Sequence, residues 1–335
     1  MATDRVFLTG GTGFVGAHVA RALLEAGYSV RAMVRAGRSV PGAECVAGDL
    51  RETGKLARSL EGCRYLVHAA ALYSFAPRDR ARIDAVNVVG TQGLTVAAHL
   101  AGVERIVLTS SSATIGHARP DGSPADETCY PDERRTVRGE YHHSKLLQER
   151  AAFAGRVPVV AVLPTAPVGP GDWKPTPTGK LVLDFARGRI AMKAPGNGGL
   201  NLVAVEDVAR AHVAALMRGR TGERYAIGGE NLSMDAIWQM LSEITGKPMP
   251  RRRAPFALAL GAAYADELRC RLDAEAIPAV PLEGVRMSRE RMYADSSKAR
   301  RELGHQPSSV REALARAVAW YRSRPGGIFG DGRRA

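Results

Sequence analysis

Apolar and polar positions along the first half of the chain change period repeatedly. Residues 5–9 (RVFLT) form a short β-branched and aromatic run, and residues 14–26 carry apolar side chains at helical spacing until Gly27 stops the pattern. Further apolar runs at 29–34 (SVRAMV), 44–47, 65–69, 105–109 and 157–163 (VPVVAVL) predict strands, and stretches at 53–60, 82–101 and 140–154 predict helices between or after them. Apolar strands alternating with helices imply an α/β doubly wound parallel sheet, covered on both faces.

After Pro164 the pattern breaks into Pro and Gly, with GPGDWKPTPTG at 169–179 and APGNGG at 194–199. Residues 200–216 (LNLVAVEDVARAHVAAL) predict a strand and a helix that rejoin the first lobe. Residues 234–245, 255–268 and 310–322 predict helices of a smaller C-terminal α/β lobe. The expected division is 1–164 with about 200–228 in one domain, 165–199 with 229–325 in a second, and a flexible tail at 326–335.

Composition narrows the class. Of 335 residues 45% are hydrophobic and 24% charged, an ordinary globular profile. No apolar stretch approaches the ~20 residues of a spanning helix, and MATDRVFLTG lacks a basic segment followed by an apolar one, so a cytoplasmic protein is expected. Cys45, Cys63, Cys129 and Cys270 are too far apart for a metal knuckle and read as reduced thiols. The eight histidines form no HExxH pair, and adjacent His142 and His143 point different ways on a helix, so no metal is expected.

Lys+Arg 47 minus Asp+Glu 34 gives +13, of which residues 166–335 hold +9 (27 basic, 18 acidic). The longest basic run is Arg251-Arg252-Arg253, and no basic run is interleaved with stacking aromatics, so nucleic acid is not an expected partner. The segment 254–268 (APFALALGAAYADEL) that follows those arginines could lie on an anionic membrane surface, but a buried lobe helix is the commoner fate and is the expectation.

The strongest local motif is Thr9-Gly10-Gly11-Thr12-Gly13-Phe14-Val15-Gly16, a GxxGxxG after the first strand and opening the first helix. Gly10 allows a tight turn, Gly13 lets backbone approach a pyrophosphate at the positive helix end, and Gly16 permits close packing. A Rossmann dinucleotide site follows, using Gly10, Thr12, Gly13, Phe14, Val15 and Gly16. Where an acid would accept from a ribose 2′-hydroxyl, this chain has Arg35, with Arg38 close behind. A guanidinium suits a 2′-phosphate, so NADP(H) is favoured over NAD(H). Asp49, before Leu50 at the end of the third strand, can reach an adenine amino group or cap the helix of 51–60. The small Ala69, Ala70 and Ala71 leave room for cofactor after the fourth strand.

Ser110-Ser111-Ser112 close the fifth strand, and Tyr141 and Lys145 stand four apart on a predicted helix. One helical turn puts them on one face, where an ammonium favours phenolate and lowers a phenol pKa from its usual ~10. Tyr141 can then serve as acid or base on a carbinol oxygen that a serine hydroxyl holds, and Lys145 can also reach the nicotinamide ribose.

These motifs in this order, TGGTGFVG, GDL, HAAA, TSSSATIG, YHHSK, LPTAPVGPGD and DSSKARRELGHQP, resemble the extended short-chain dehydrogenase/reductases of the NAD-dependent epimerase/dehydratase family over nearly the whole chain. PDGSPADE, WKPTPTGKLVLDF, GLNLVAVEDVA and GERYAIGGENL resemble hopanoid-associated sugar epimerases and dihydroflavonol-4-reductase-like members. The resemblance implies Ser111 as the catalytic serine, with Ser110 and Ser112 as alternatives, and Tyr141 as acid/base. It implies Lys145 on the ribose, Pro164 and Thr165 against nicotinamide, a structural or cofactor-side Asn87, and dimers through helices flanking the sheet at 82–101 and 140–154.

Nucleotide-sugar epimerases of the family carry an RxxN-like segment where this chain has Val162-Leu163-Pro164-Thr165. That departure, with Arg35, favours an NADP(H)-dependent carbonyl or alcohol oxidoreductase over a sugar or nucleotide-sugar epimerase, and the complete Ser111, Tyr141 and Lys145 set argues against a redox sensor without catalysis. Specificity is expected in the loops 73–77, 165–178 and 196–201, with Tyr73, Phe75 and Trp173 as apolar or stacking walls.

Overall fold

The computed structural model describes residues 3–74, 79–116, 118–119, 121–131, 140–273, 279–280 and 282–324, with residues 140, 141 and 283 described by backbone alone. The expected tail at 326–335, Phe75 and Pro77 lie outside the described residues.

In chain order β1 (Arg5–Thr9) leads into α1 (Phe14–Glu25), followed by β2 (Ser29–Val34), β3 (Glu44–Ala47), α2 (Thr53–Leu60) and β4 (Tyr65–His68). A helical stretch of α3 (Arg80–Ile83), a π-helical turn at Asp84–Val89 and α4 (Gly90–Leu100) precedes β5 (Arg105–Thr109), and α5 (Glu140–Phe153) precedes β6 (Val159–Pro164). Then come β7 (Ala166–Val168), α6 (Pro177–Arg187), β8 (Gly199–Ala204), α7 (Val205–Arg218), β9 (Arg224–Ile227) and β10 (Glu230–Ser233). The last elements are α8 (Met234–Thr245), α9 (Phe256–Leu272), α10 (Leu282–Met287), β11 (Arg291–Met292), α11 (Ser297–Leu303) and α12 (Val310–Ser323).

Seven strands pair in parallel in the order β3-β2-β1-β4-β5-β6-β9, so the chain reverses direction across the sheet between β1 and β4. Such a switch leaves a crevice at the carboxyl ends of the strands. Alternation along β1 explains the two covered faces. Val6 and Leu8 join Val19 and Leu23 of α1 and Val208 and Leu216 of α7 on one side. Phe7 joins Leu56 of α2, Leu94 and Ala97 of α4, and Ile106 on the other.

A second, four-stranded sheet is organised by β8, which pairs antiparallel with β10 and parallel with both β7 and β11. Here the structure divides what the periodicity joined. α7 packs on the main sheet, but β8 lies in the smaller one, because its inward residues Leu202 and Ala204 meet Val182, Trp238, Leu314 and Val318 from α6, α8 and α12. α9 also departs from expectation. Apolar composition suggested a buried helix, yet Ala263 is its one buried residue.

Candidate functional site

The chain turns sharply after β1 because Gly10 takes a left-handed φ of 77°, and a side chain there would collide with the Ala69–Ala70 backbone, its Cβ 2.6 Å from the Ala70 nitrogen. A Cβ at Gly16 would lie 2.1 Å from the Gly10 carbonyl oxygen, so the first turn of α1 closes directly on the loop. Gly13 stands at the N-cap of α1 without any side-chain cap bond, and Thr12 and Gly13 are exposed while Phe14 and Val15 are half-buried. A helix start with unsatisfied N–H groups, no capping side chain and no Cβ in the way is a cradle for phosphate oxygens. The residues present therefore fit a dinucleotide.

The other cofactor candidates line the same carboxyl edge with unequal access. Ala69 and Ala70 are half-buried and Ala71 is exposed after β4. Arg35 and Arg38 are exposed beyond β2, and their side chains form no hydrogen bond or ion pair among the described residues. Asp49 does not cap α2, one of its two expected roles. Its carboxylate takes both arms of Arg51, at 3.0 and 2.6 Å, and the Arg51 N–H at 2.9 Å, while α2 starts at Thr53 with no side-chain cap. Those hydrogen bonds hold the Asp49 pKa down to about 2, and the charge of Arg35 adds a smaller push. Leu50 belongs to the core beside Met33 and Leu56, so only its backbone faces the edge. Pro164 is buried as the last residue of β6, and the Thr165 hydroxyl donates to the Asn201 side-chain oxygen at 2.9 Å.

Across the sheet, α5 lies beside β5 and β6. Tyr141 is in its first turn by backbone position, four residues before Lys145; the Tyr141 side chain lies outside the described residues. Lys145 is 2% exposed, and its ammonium donates to the Thr109 carbonyl at 2.8 Å and to Gln148 Oε1 at 2.5 Å. Two of its three N–H groups are thus taken, and one is left for a ligand. Burial lowers the Lys145 pKa to about 8, with Glu149 pulling the other way.

The serines separate. Ser110 is buried and donates to the Glu149 carboxylate, which also accepts from Thr114 Oγ1 at 3.0 Å and pairs with Arg224 at 2.8 Å. Ser111 is half-buried in extended conformation, and its Oγ accepts the Ala113 N–H at 3.1 Å, which fixes its direction and leaves its own O–H free to donate. Ser112, also half-buried, begins the 3₁₀ turn Ser112–Thr114.

Sequence reasoning passed over two buried groups that hold this arrangement, Gln148 and His68, and named a third, Asn87, only as structural or cofactor-side. Gln148 links Lys145 to β4, since its amide donates to the Ala70 carbonyl and to Thr91 Oγ1, each at 3.2 Å. His68, wholly buried, sits between Thr9 Oγ1 (2.7 Å) and Thr91 Oγ1 (2.8 Å). Because Thr91 donates to the Asn87 carbonyl at 2.7 Å, its oxygen accepts from His68 Nε2, and Nδ1 accepts from Thr9. Burial and then the Lys145 charge depress the His68 pKa to about 3, so the ring is neutral. Asn87, in the π-helical turn, bonds the Leu72 backbone on both sides (2.7 and 3.1 Å) and Ser144 Oγ at 3.1 Å. Gln148 and Glu149 follow Lys145 by three and four residues, the signal that could have found them.

The expected walls are partly placed. Tyr73 is half-buried, while Trp173 is 64% exposed and sits edge-on to Trp320, with the Arg324 guanidinium 4.6 Å from its ring centre. Among the described residues no group of three or more His, Cys, Asp or Glu could hold a metal ion, and no helix is long and apolar enough to cross a membrane.

Comparison with known proteins agrees with this geometry. Residues 6–228 match the model of the NAD dependent epimerase/dehydratase family. A dihydroflavonol 4-reductase-like protein of Synechocystis sp. is 43% identical, covering 96% of this chain and 95% of its own length. Sterol demethylase protein B of Methylococcus capsulatus is 38% identical over 95% of this chain and 98% of its own. The crystal structure of gox2253 superposes with a TM-score of 0.82 at 39% identity, covering 96% of this chain and 98% of that one. MoeE5, solved with UDP-glucuronic acid and NAD, gives a TM-score of 0.74 at 26% identity over 95% and 99%. With its parallel seven-stranded sheet, glycine cradle and α5 cluster, the chain belongs to the NAD-dependent epimerase/dehydratase family, the extended short-chain dehydrogenase/reductases.

Proposed function

We propose that the chain is an oxidoreductase acting on a carbonyl or alcohol, with NADP(H) favoured as its dinucleotide. The observation that carries this reading is the buried Lys145 ammonium, one helical turn from Tyr141 and bonded to the strand end that carries Ser111. Gly10, Thr12, Gly13 and Gly16 would hold the pyrophosphate, Arg35 a 2′-phosphate, and Ala69, Ala70, Pro164 and Thr165 would border the nicotinamide half. The dinucleotide supplies the site with a hydride donor or acceptor. Ser111 orients the substrate oxygen through its free O–H, and Tyr141 gives or takes the proton on that oxygen. Lys145 supports the phenolate and offers its third N–H to a ribose hydroxyl. Substrate would enter between the sheet edge and the smaller lobe around β8. Exposed Val89, Val96 and Leu100 fall on one stripe of the helix around α4 and support a homodimer through that face.

A second reading, sugar or nucleotide-sugar epimerisation with dinucleotide retained, draws on the family match and on MoeE5. One experiment separates the two. The purified protein is denatured, released dinucleotide is identified, and the apo form is titrated with NADPH and NADH. Weak exchangeable binding that favours NADPH, with net oxidation of NADPH by a ketone or aldehyde panel, supports the oxidoreductase. Retained NAD(H) without net turnover would replace it by the epimerase.

A further inference from the structure

α9 presents an apolar face that nothing in the described chain covers. At 3.6 residues per turn, Leu258, Gly261, Ala265, Leu268 and Leu272 fall within about 80° of arc. All five are exposed, Leu258 by 70%, Leu268 by 58% and Leu272 by 80%. α9 packs against α10, and its opposite side carries buried Ala263 and half-buried Phe256. A helix with an apolar outer face reverses the usual arrangement at a water boundary.

Charge around the helix is equally one-sided. Its own Arg269 and Arg271 are neutralised by Asp266 and Glu267 at 2.7 and 2.6 Å. Arg251 and Arg252, exposed just before the helix, have no carboxylate partner among the described residues. Arg286 lies against Tyr264, which flanks the apolar arc beyond Leu268, and donates to its hydroxyl at 3.0 Å, again without an acid among the described residues. Apolar side chains bordered by unpaired arginines match a surface that is oily inside and anionic at its rim. At 17 residues, several of them charged, the helix would lie flat rather than cross.

We infer that the outer face of α9 docks on an anionic lipid bilayer. The helix is joined to the substrate lobe, since Arg253, just before it, donates to the Ala194 carbonyl (3.1 Å) and to the Gly196 carbonyl. That loop leads into β8, whose Asn201 holds Thr165, so the docking helix is connected to the candidate site through the smaller lobe. The docking does not depend on the hydride-transfer reading.

Flotation of the full chain with vesicles of phosphatidylcholine alone, or mixed with phosphatidylglycerol, tests the inference. Expected is at least tenfold tighter binding to the anionic vesicles, weakening with salt. Leu258→Glu/Leu268→Glu and, separately, Arg251→Gln/Arg252→Gln should each weaken it at least tenfold, with thermal unfolding and dinucleotide binding unchanged. Failure of the wild type to float with anionic vesicles at low salt overturns the proposal, as does floating that neither double variant weakens. A dimer that the leucine variant splits, with vesicle binding intact, would instead make the face a contact between copies.

Discussion

Gln148 Oε1 accepts the Lys145 ammonium at 2.5 Å, and the other end of the same amide is tied to the Ala70 carbonyl. The side chain thus spans from the helix of the acid/base candidates to the strand end that borders the glycine loop. The next residue, Glu149, ties α5 to Ser110 and Arg224. The helix that positions Tyr141 and Lys145 is therefore pinned by two buried polar contacts on successive residues, which limits its freedom to shift.

Substituting Gln148 should move the pH dependence of turnover, not only its height. Gln148→Met removes an acceptor from an ammonium whose pKa burial has already lowered to about 8, so the alkaline limb of kcat/KM should fall about one pH unit earlier. Gln148→Glu adds a carboxylate, holds Lys145 charged to higher pH, partly cancels its pull on Tyr141, and should move both limbs upward. Profiles that differ from wild type only by a constant factor would reduce Gln148 to packing.

Ser110 and Ser111 should fail in different ways. Ser110→Ala leaves Glu149 short of a donor in a buried site and should cost about 1–3 kcal/mol in denaturant unfolding, with kcat nearly retained. Ser111→Ala should lower kcat about 10²-fold while costing only the cap bond to Ala113, about 1 kcal/mol. A larger kcat loss in Ser112→Ala than in Ser111→Ala would transfer the role to Ser112.

Gly10 admits no side chain. Its φ of 77° and the Ala70 nitrogen 2.6 Å from a would-be Cβ both oppose substitution, and the obstruction is backbone that cannot rotate away. Gly10→Ala should cost about 2 kcal/mol or more and weaken dinucleotide binding in calorimetric titration. A variant with wild-type unfolding and binding would mean that the β1–α1 turn relaxes freely.

The first half of this fold was legible because its strands are short apolar runs ended by turns, and β1, β2, β3 and β5 match the expected bounds residue for residue. Other elements gave no such signal. β11 is two residues long and exists only through its pairing with β8, and the π-helical turn holding Asn87 is invisible in a periodicity of 3.6. α9 shows the limit of composition, which reports apolar content but not whether a neighbour covers it. In the candidate site, spacing from Tyr141 is what singles out Lys145, whereas His68 and Arg224 act through partners far along the chain, at Thr91 and Glu149, which no local pattern could supply.

The proposed preference for NADP(H) rests on Arg35. It is exposed, and its side chain makes no hydrogen bond among the described residues, so its removal should leave stability unchanged. Arg35→Ser should weaken NADPH about tenfold or more by loss of a charge-assisted contact and leave NADH within about twofold. Fluorescence titration of both dinucleotides reads the ratio. Equal loss for the two, or none for NADPH, would detach the 2′-phosphate from Arg35.

Stability should fall in mild acid because of buried histidines. His68 and His212 have pKa values depressed by burial to about 3 and about 4, against 6.5 when exposed. Between pH 6.5 and those values the unfolded chain binds protons that the folded chain refuses, so unfolding becomes easier as pH drops. Each such histidine adds a slope of about 1.4 kcal/mol per pH unit. Above pH 6.5 both states are neutral at these positions and the contribution is fully retained. His212→Gln gives up bonds to Thr109 and the Val208 carbonyl and lowers stability at every pH, but it should remove one proton from the slope. Denaturant unfolding at several pH values in that window measures the slope directly, and a slope identical in wild type and variant would show that His212 is protonated in the folded state.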